Sequence, residues 1–297
     1  MLFKWIRYIF LGGHDLIHSY FAWMLPMSRH PERYPLEYRY AAARRLILHM
    51  MEIFRLEFRL GHYETLKEVQ AKGRPYLLVG NHQATGDPLL LIALSDEPIV
   101  FLAKKETKRM PFVGRVLRAI DGVFIDRKCL RSSVDSIAKL TKEMDEAGAV
   151  IYPEGHRQSD MRADMFPFHG GSFKPAYLKK ATVVPFAEFG TKRLLSGRQY
   201  RSNLLQIDFL PPREYPSFQS LKTVELAAIT HQEVQDRVRL MRDEDDAYFA
   251  LKKQRRKPEN PNWEERYGIP SSKELSRKVK AMKKAWRQER KSKKKAA

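Results

Sequence analysis

Cysteine is almost absent from this chain. Cys129 is the only one in 297 residues, so no internal disulfide can form and the composition suits a reducing compartment. No group of His and Cys has metal-ligand spacing, so no metal is expected. No Gly-rich loop that would cradle a dinucleotide or nucleotide phosphate occurs either, so no resident cofactor is expected. No apolar run reaches the roughly 18 residues needed to cross a bilayer. Acidic side chains are the minority: 35 Asp and Glu stand against 55 Lys and Arg, a formal net charge of +20. That excess calls for an anionic partner, either nucleic acid or an acidic lipid surface. No recognisable nucleic-acid-binding motif accompanies it, so the lipid surface is the expected partner.

What is present centres on Gly80-Asn81-His82-Gln83-Ala84-Thr85-Gly86-Asp87-Pro88. Tyr76 to Gly80 reads as a short buried strand and Leu89 to Leu94 as the start of a buried helix. Asp87-Pro88 has the pattern of a helix start, with Asp at the N-cap and Pro at the first helical position. His82 therefore falls on a strand-to-helix loop, where Gly86 permits a tight turn. In such a loop Asp87 can accept a bond from the imidazole Nδ1–H, fixing the tautomer whose Nε2 can take a proton. On one continuous helix the same spacing would turn the two about 140° apart. The alternative is that Asp87 only caps a helix and His82 is a polar loop residue. No serine or cysteine accompanies the pair in a nucleophile motif, which points to a nucleophile supplied by a substrate hydroxyl.

Three further segments follow in order. Gly122 to Arg127 (Gly-Val-Phe-Ile-Asp-Arg) is an apolar strand that delivers an arginine. Ile151 to Arg157 (Ile-Tyr-Pro-Glu-Gly-His-Arg) runs into a Glu-Gly turn and a second arginine. Ala181 to Ala187 (Ala-Thr-Val-Val-Pro-Phe-Ala) is a buried strand with a proline. With these four blocks in this order, the chain closely resembles the glycerolipid acyltransferase family, specifically its bacterial 1-acyl-glycerol-3-phosphate (lysophosphatidate) acyltransferases. The resemblance covers roughly residues 56 to 210. Tyr152 replaces the family's usual Phe, and His156 stands where Thr or Ser is usual, which puts in doubt a hydroxyl role there.

The resemblance implies a division of labour. His82 would remove the proton from the free glycerol hydroxyl of a lysophospholipid, and Asp87 would orient it. The alkoxide would attack an acyl thioester directly, drawn from acyl-CoA or acyl carrier protein as co-substrate, and phosphatidate would be the product. Arg127 and Arg157 would clamp the acceptor's phosphate, unless one of them pairs with Glu154 or Asp126. Glu154 would bind glycerol or hold an arginine, and Gly155 is a candidate backbone donor to the oxyanion. Lys104 and Lys105 would contact the phosphates of the acyl carrier or simply be solvated. Related acceptors, glycerol 3-phosphate or another lysophospholipid, share the four blocks. A hydrolase is less favoured, because water needs no phosphate clamp. A non-catalytic lipid-binding protein is less favoured because the His82 and Asp87 pair is intact.

The two ends favour a membrane. Residues 1–55 carry two apolar-aromatic stretches, Met1 to Leu11 and Leu16 to Met27, interrupted by Lys4, Arg7, His14, Asp15 and His18. With Trp5, Tyr8, Tyr20 and Trp23 they suit a pair of helices lying in the headgroup boundary. A packed helical cap or one imperfect spanning helix are the alternatives. No small-residue cleavage site follows, so a removed signal peptide is not expected. Residues 246–297 form a basic linker and tail; from Leu251 on, eighteen Lys or Arg stand against five Asp or Glu. There Ser271 and Glu274 have the spacing of a capping box. Leu275, Val279, Met282 and Trp286 follow as one apolar stripe, the pattern of a membrane-surface helix or of a solvated basic tail. The protein is expected on the cytoplasmic face of the cell membrane.

Between the ends, residues 56–245 read as the catalytic domain. Strands are expected near 56–60, 76–80, 98–103, 121–125, 148–152, 182–187 and 204–210, with helices between most of them. Ser132 to Ala147 is one such helix, with Val134, Ile137, Leu140 and Met144 on one face. Leu36 to Phe54 is another, before the first strand. Alternation of this kind implies an α/β fold with a mainly parallel sheet covered on both faces. His169, in the loop Phe166 to Ser172, has no orienting partner in sequence.

Overall fold

The computed structural model describes residues 13–54, 56–73, 75–158, 160–194, 203–252 and 263–296. The expected interfacial residues Trp5 and Tyr8 lie outside them. The chain opens with α1 (His14–Ser19), a π-helical turn at Tyr20–Met24 and α2 (Leu25–Arg29), followed by α3 (Leu36–Phe54). Then come β1 (Leu56–Gly61), α4 (Tyr63–Ala71), β2 (Tyr76–Gly80), α5 (Asp87–Leu94), β3 (Ile99–Lys104), α6 (Val113–Ala119), β4 (Val123–Ile125), α7 (Leu130–Glu143) and β5 (Gly148–Ile151). After these follow α8 (Lys174–Lys179), β6 (Thr182–Phe189), β7 (Asn203–Phe209), α9 (Tyr215–Phe218), α10 (Thr223–Lys252), α11 (Trp263–Tyr267) and α12 (Ser272–Ala296).

The seven strands form one sheet in the order β1-β7-β6-β2-β5-β3-β4. Every pairing is parallel except that of β6 with β7. The central strands are apolar on both faces, as a doubly covered sheet requires. Tyr76 and Leu78 of β2 enter the core beneath α3, α5 and α6, while Leu77 and Val79 enter a second core beneath α7 and α10. Gly80 ends β2 where there is no room for a side chain: a Cβ there would meet the Phe186 ring at 2.4 Å.

Polar anchors tie α3 to the segments that lead into β3 and β4. In α3, Arg39 grips the Asp121 carboxylate at 2.8 and 2.6 Å and donates to the Ala119 carbonyl at 2.7 Å. Arg44 does the same at the end of α5, holding Asp96 and the Ala93 carbonyl. These arginines are buried, so the basic residues of α3 serve packing rather than a lipid surface.

Three expectations are corrected. The helix expected at Ser132 to Ala147 spans Leu130–Glu143, and Val134 is exposed, because the face that meets β3, β4 and β5 is set by Leu140 and Met144. The boundary expected at 245/246 falls inside α10, which runs unbroken to Lys252. The apolar stripe of α12 is not a free lipid-facing surface. Leu275 and Val279 are buried in the core with α3, and Trp286 lies 4.9 Å from the Tyr34 ring and 6.1 Å from that of Tyr38. Burial of each aliphatic side chain there stabilises the docked helix by about 1.5–3 kcal/mol. The capping geometry is present in half: the Glu274 N–H donates to Ser271 Oγ at 3.3 Å, while Ser272 Oγ turns to the Glu52 carboxylate of α3 at 2.5 Å. The N-terminal segment likewise packs as a cap, its π turn bonding from Tyr20 Oη to the Pro111 carbonyl. Among the described residues, no helix is long and apolar enough to cross a membrane.

Candidate active site

The site lies where β2, β5 and β6 deliver their C-terminal ends, the place at which open parallel sheets present ligand groups. His82 leaves β2 on the face that carries Tyr76 and Leu78. Its Nδ1 lies 2.7 Å from Asp87 Oδ2. Asp87 is wholly buried and gathers the loop around itself. Oδ2 accepts the N–H of Gln83 at 2.7 Å and that of Ala84 at 2.9 Å, and Oδ1 accepts the Ala84 N–H at 3.0 Å. Asp87 is the first residue of α5 rather than its N-cap, which is Gly86. Its carboxylate closes the preceding loop instead of capping the helix. Burial alone would raise Asp87; the hydrogen bond and charge of His82, with Glu188 and the Ala84 amide, outweigh it and hold the carboxyl below its ordinary range.

This geometry assigns the proton positions. A carboxylate at Nδ1 makes that nitrogen the donor and leaves Nε2 as the basic atom. The ring stacks on Tyr152, centroid to centroid 4.4 Å and 21° between planes. Tyr152 in turn meets Phe186 edge-on at 5.9 Å. The imidazole is thus held by a hydrogen bond on one edge and an aromatic face on one side, with part of its surface open to solvent.

Glu154 corrects an expectation. Among the described residues it pairs with no arginine, and both its oxygens are taken up by main-chain amides. Oε1 accepts the His82 N–H at 2.7 Å and Oε2 accepts the Phe166 N–H at 2.9 Å, so a buried carboxylate staples the His82 loop to the segment after β5. Burial pushes Glu154 up to about 7, against the pull of those two amides. The carbonyl of His82 accepts the Gln158 N–H at 3.0 Å and completes the clasp. Gly155 is corrected too: its amide donates to the Tyr152 carbonyl at 3.1 Å and is not free for an oxyanion. What Gly155 contributes is a left-handed turn, φ +71°, and space. A side chain there would approach His169 Cδ2 at 3.3 Å and Arg127 Nη1 at 3.7 Å.

Those approaches bring Arg127 and His169 beside the Glu154-Gly155 turn. Arg127 has no hydrogen bond or ion pair among the described residues. Asp126, beside it in sequence, is engaged by Lys105 at 3.2 Å and by the Lys128 amide at 3.1 Å. Arg157 is exposed, and its Nη1 bonds the Thr85 hydroxyl within the His82 to Asp87 loop. Lys104 forms an exposed ion pair with Glu106 at 3.5 Å. Lys105 forms a second exposed pair, with Asp126. Among the described residues, no group of three or more His, Cys, Asp and Glu could hold a metal ion.

Sequence reasoning missed the support behind the dyad. The Asn81 side chain brackets Glu188 of β6, donating to its carbonyl at 2.9 Å and accepting its N–H at 2.8 Å. Gln83 Oε1 accepts the Gly190 N–H at 3.1 Å. Glu188 itself is wholly buried. The signal was a lone acidic residue near the end of the apolar run Thr182 to Phe189.

Residues 62–188 match the model of a family described as Acyltransferase. A 1-acyl-sn-glycerol-3-phosphate acyltransferase of Borreliella burgdorferi is 34% identical over 116 residues, 39% of this chain and 46% of that protein. One from Saccharomyces cerevisiae is 29% identical over 125 residues, 41% of each chain. The chain thus spans about half the length of these curated relatives. The crystal structure of a 1-acyl-sn-glycerophosphate acyltransferase, PlsC, from Thermotoga maritima superposes with a TM-score of 0.59 at 21% identity, covering 81% of this chain and 95% of that one. That likeness shows the shared α/β fold.

Proposed function

Because residues 62–188 form an acyltransferase-family domain, we propose that the protein transfers an acyl group from a thioester to the free hydroxyl of 1-acyl-glycerol 3-phosphate, giving phosphatidate. The observation that carries this reading is the His82–Asp87 contact, with Nε2 left as the proton acceptor and neither serine nor cysteine in the loop between Gly80 and Pro88. His82 Nε2 takes the acceptor's hydroxyl proton as its oxygen attacks the thioester carbonyl. Asp87 stabilises the imidazolium that forms. The tetrahedral intermediate collapses with loss of the thiolate, which receives the proton from Nε2. No acyl-enzyme is formed, and His82 ends as it began. Arg127, a cation with no hydrogen bond or ion pair among the described residues, binds the acceptor phosphate, and Arg157 lines the His82 loop through Thr85. Acyl-CoA and acyl carrier protein are both suitable donors.

A membrane-bound substrate implies docking on lipid. Ile17 and Phe21 project from the N-terminal helices at 60% and 61% exposure. Next to them, Trp23, Tyr34, Tyr38 and Trp286 line a hollow of about 570 Å³ with Lys283, Arg287 and Arg290 at its rim. Lys283 sits over the Trp23 ring at 5.3 Å, and burial together with the Arg287 charge lowers its proton affinity. Cations with no acidic partner among the described residues, set beside aromatic rings, suit an anionic lipid surface at the cytoplasmic face.

The deciding experiment is acyl transfer from palmitoyl-CoA to lysophosphatidate in liposomes, wild type against His82→Ala, with acyl carrier protein as the second donor. Phosphatidate from the wild type and a loss of about 10²–10⁴-fold in the folded variant are expected. Equal turnover by the two proteins would remove His82 from the mechanism.

A further inference from the structure

We propose that Glu188 is a protonated carboxylic acid that donates a hydrogen bond to the Asp87 carboxylate, and that through this bond it limits how strongly Asp87 supports a positive His82. It is a positioning residue and does not touch substrate. The role in catalysis rests on the reading of His82 as base; the protonation state does not.

Register places Glu188 there. Gly80 pairs with Phe186 across the parallel β2–β6 ladder, so two residues further on His82 and Glu188 leave their strands abreast and toward the same face. Asn81 fixes that alignment by gripping the Glu188 backbone on both sides. The side chain is 0% exposed, and neither carboxylate oxygen meets an N–H or O–H donor among the described residues. Its neighbour within hydrogen-bonding reach is Asp87, itself 0% exposed. Two carboxylates in contact and away from water cannot both be ionised. Asp87 has three donors on Oδ2, including the His82 imidazole, so Asp87 carries the charge. Glu188 has none and keeps the proton. Its O–H then has an acceptor in the Asp87 carboxylate, whose Oδ1 otherwise receives only the Ala84 amide among the described residues. Burial, then the Asp87 charge and the bond to it, then Glu154, all raise Glu188 far above the ordinary carboxylate range. The other titratable groups facing the pair are His82, Tyr152 and Glu154; among the described residues no lysine or arginine bonds either carboxylate.

A donor on Asp87 withdraws part of the charge that would stabilise imidazolium. Removing the donor makes Asp87 a stronger partner and raises the proton affinity of His82. An ionised Glu188 would have the opposite effect, so the sign of the change separates the two states. The test uses the full-length protein with ring-labelled histidine, following the His82 titration by NMR in wild type, Glu188→Leu and Glu188→Gln. Glu188→Leu is expected to raise the His82 midpoint by about one pH unit. Glu188→Gln, whose amide can still donate to Asp87, is expected to stay within a few tenths of wild type. The acid limb of kcat/KM should move with the midpoint. A midpoint that falls or stays in place in Glu188→Leu, or a Gln variant that follows Leu, overturns the proposal. If the Leu variant does not fold, infrared spectroscopy at pH 8.5 decides. A protonated-carboxyl C=O band in wild type that vanishes in Glu188→Gln supports the proposal, and no such band sinks it. Neither spectroscopic reading requires turnover, so failure of the acyl-transfer assay remains a separate result.

Discussion

Asp87→Asn is the most informative perturbation of the dyad. The asparagine carbonyl can occupy the Oδ2 position, where it still accepts from His82 Nδ1 and from the amides of Gln83 and Ala84. The loop therefore keeps its shape, and thermal stability should fall by only a few degrees, the equivalent of about 1–2 kcal/mol. What disappears is the negative charge 2.7 Å from a nitrogen that becomes positive in the transition state. Asp87 is wholly buried, so water screens that pair little. Removing one member of a buried charge pair costs about 3–5 kcal/mol. At about 1.4 kcal/mol per factor of ten, kcat should drop by about 10²–10⁴-fold. The acceptor's KM should hardly change, because the lost interaction exists only when His82 is charged. Thiol release from palmitoyl-CoA in the presence of lysophosphatidate gives both constants. A kcat within about threefold of wild type, in a variant with normal melting, would refute the assignment of Asp87 as the partner of the base.

Three further outcomes are expected. Glu154→Gln presents an amide NH₂ to one of the two backbone N–H groups it must satisfy, His82 or Phe166, and should cost about 1–3 kcal/mol by denaturant titration. Its wild-type contribution is present below pH 4.5 and is lost as pH rises through about 7, because the folded chain retains a proton that the unfolded chain has released; the Gln variant should show a flatter stability profile over that window. Arg127→Ala should raise KM for lysophosphatidate by roughly tenfold to a hundredfold, with a smaller effect for Arg127→Lys; an equal rise for an acceptor lacking the phosphate would argue against a clamp. Lys283→Glu with Arg287→Glu should weaken binding to phosphatidylglycerol vesicles in flotation far more than Lys280→Glu with Lys284→Glu on the exposed side of the same helix, and equal losses would reduce the hollow to diffuse charge.

Local features were legible and distant ones were not. The strands announced themselves as apolar runs, and α3 spans the expected Leu36 to Phe54, because periodicity over five turns leaves little freedom. His82 and Asp87 could be paired by eye because only four loop residues separate them. Glu188 lies beyond all three further blocks, and only the β2–β6 register brings it to Asp87. The stripe on α12 was visible as a stripe. Amphipathicity says that one face is buried, but not whether lipid or α3 buries it. Glu154 was ambiguous for a related reason: its acceptors' partners are main-chain amides, which no side-chain motif reveals. The partners of Lys104 and Lys105 were not legible, because Glu106 lies across a turn and Asp126 follows another strand.

The docking of α12 on α3 has a consequence for biosynthesis. Arg45 Nε donates to Ser276 Oγ across 231 residues of sequence, and β1 finds β7 only after most of the chain exists. At roughly 5–20 residues per second, on the order of ten to fifty seconds separate the synthesis of those two residues. Throughout that interval the apolar face of α3 that will receive Leu275 and Val279 lacks its cover. The nascent chain therefore emerges sticky at its beginning and is sealed by its end, and a ribosome stalled shortly before Ser272 would present an otherwise complete sheet with an open flank.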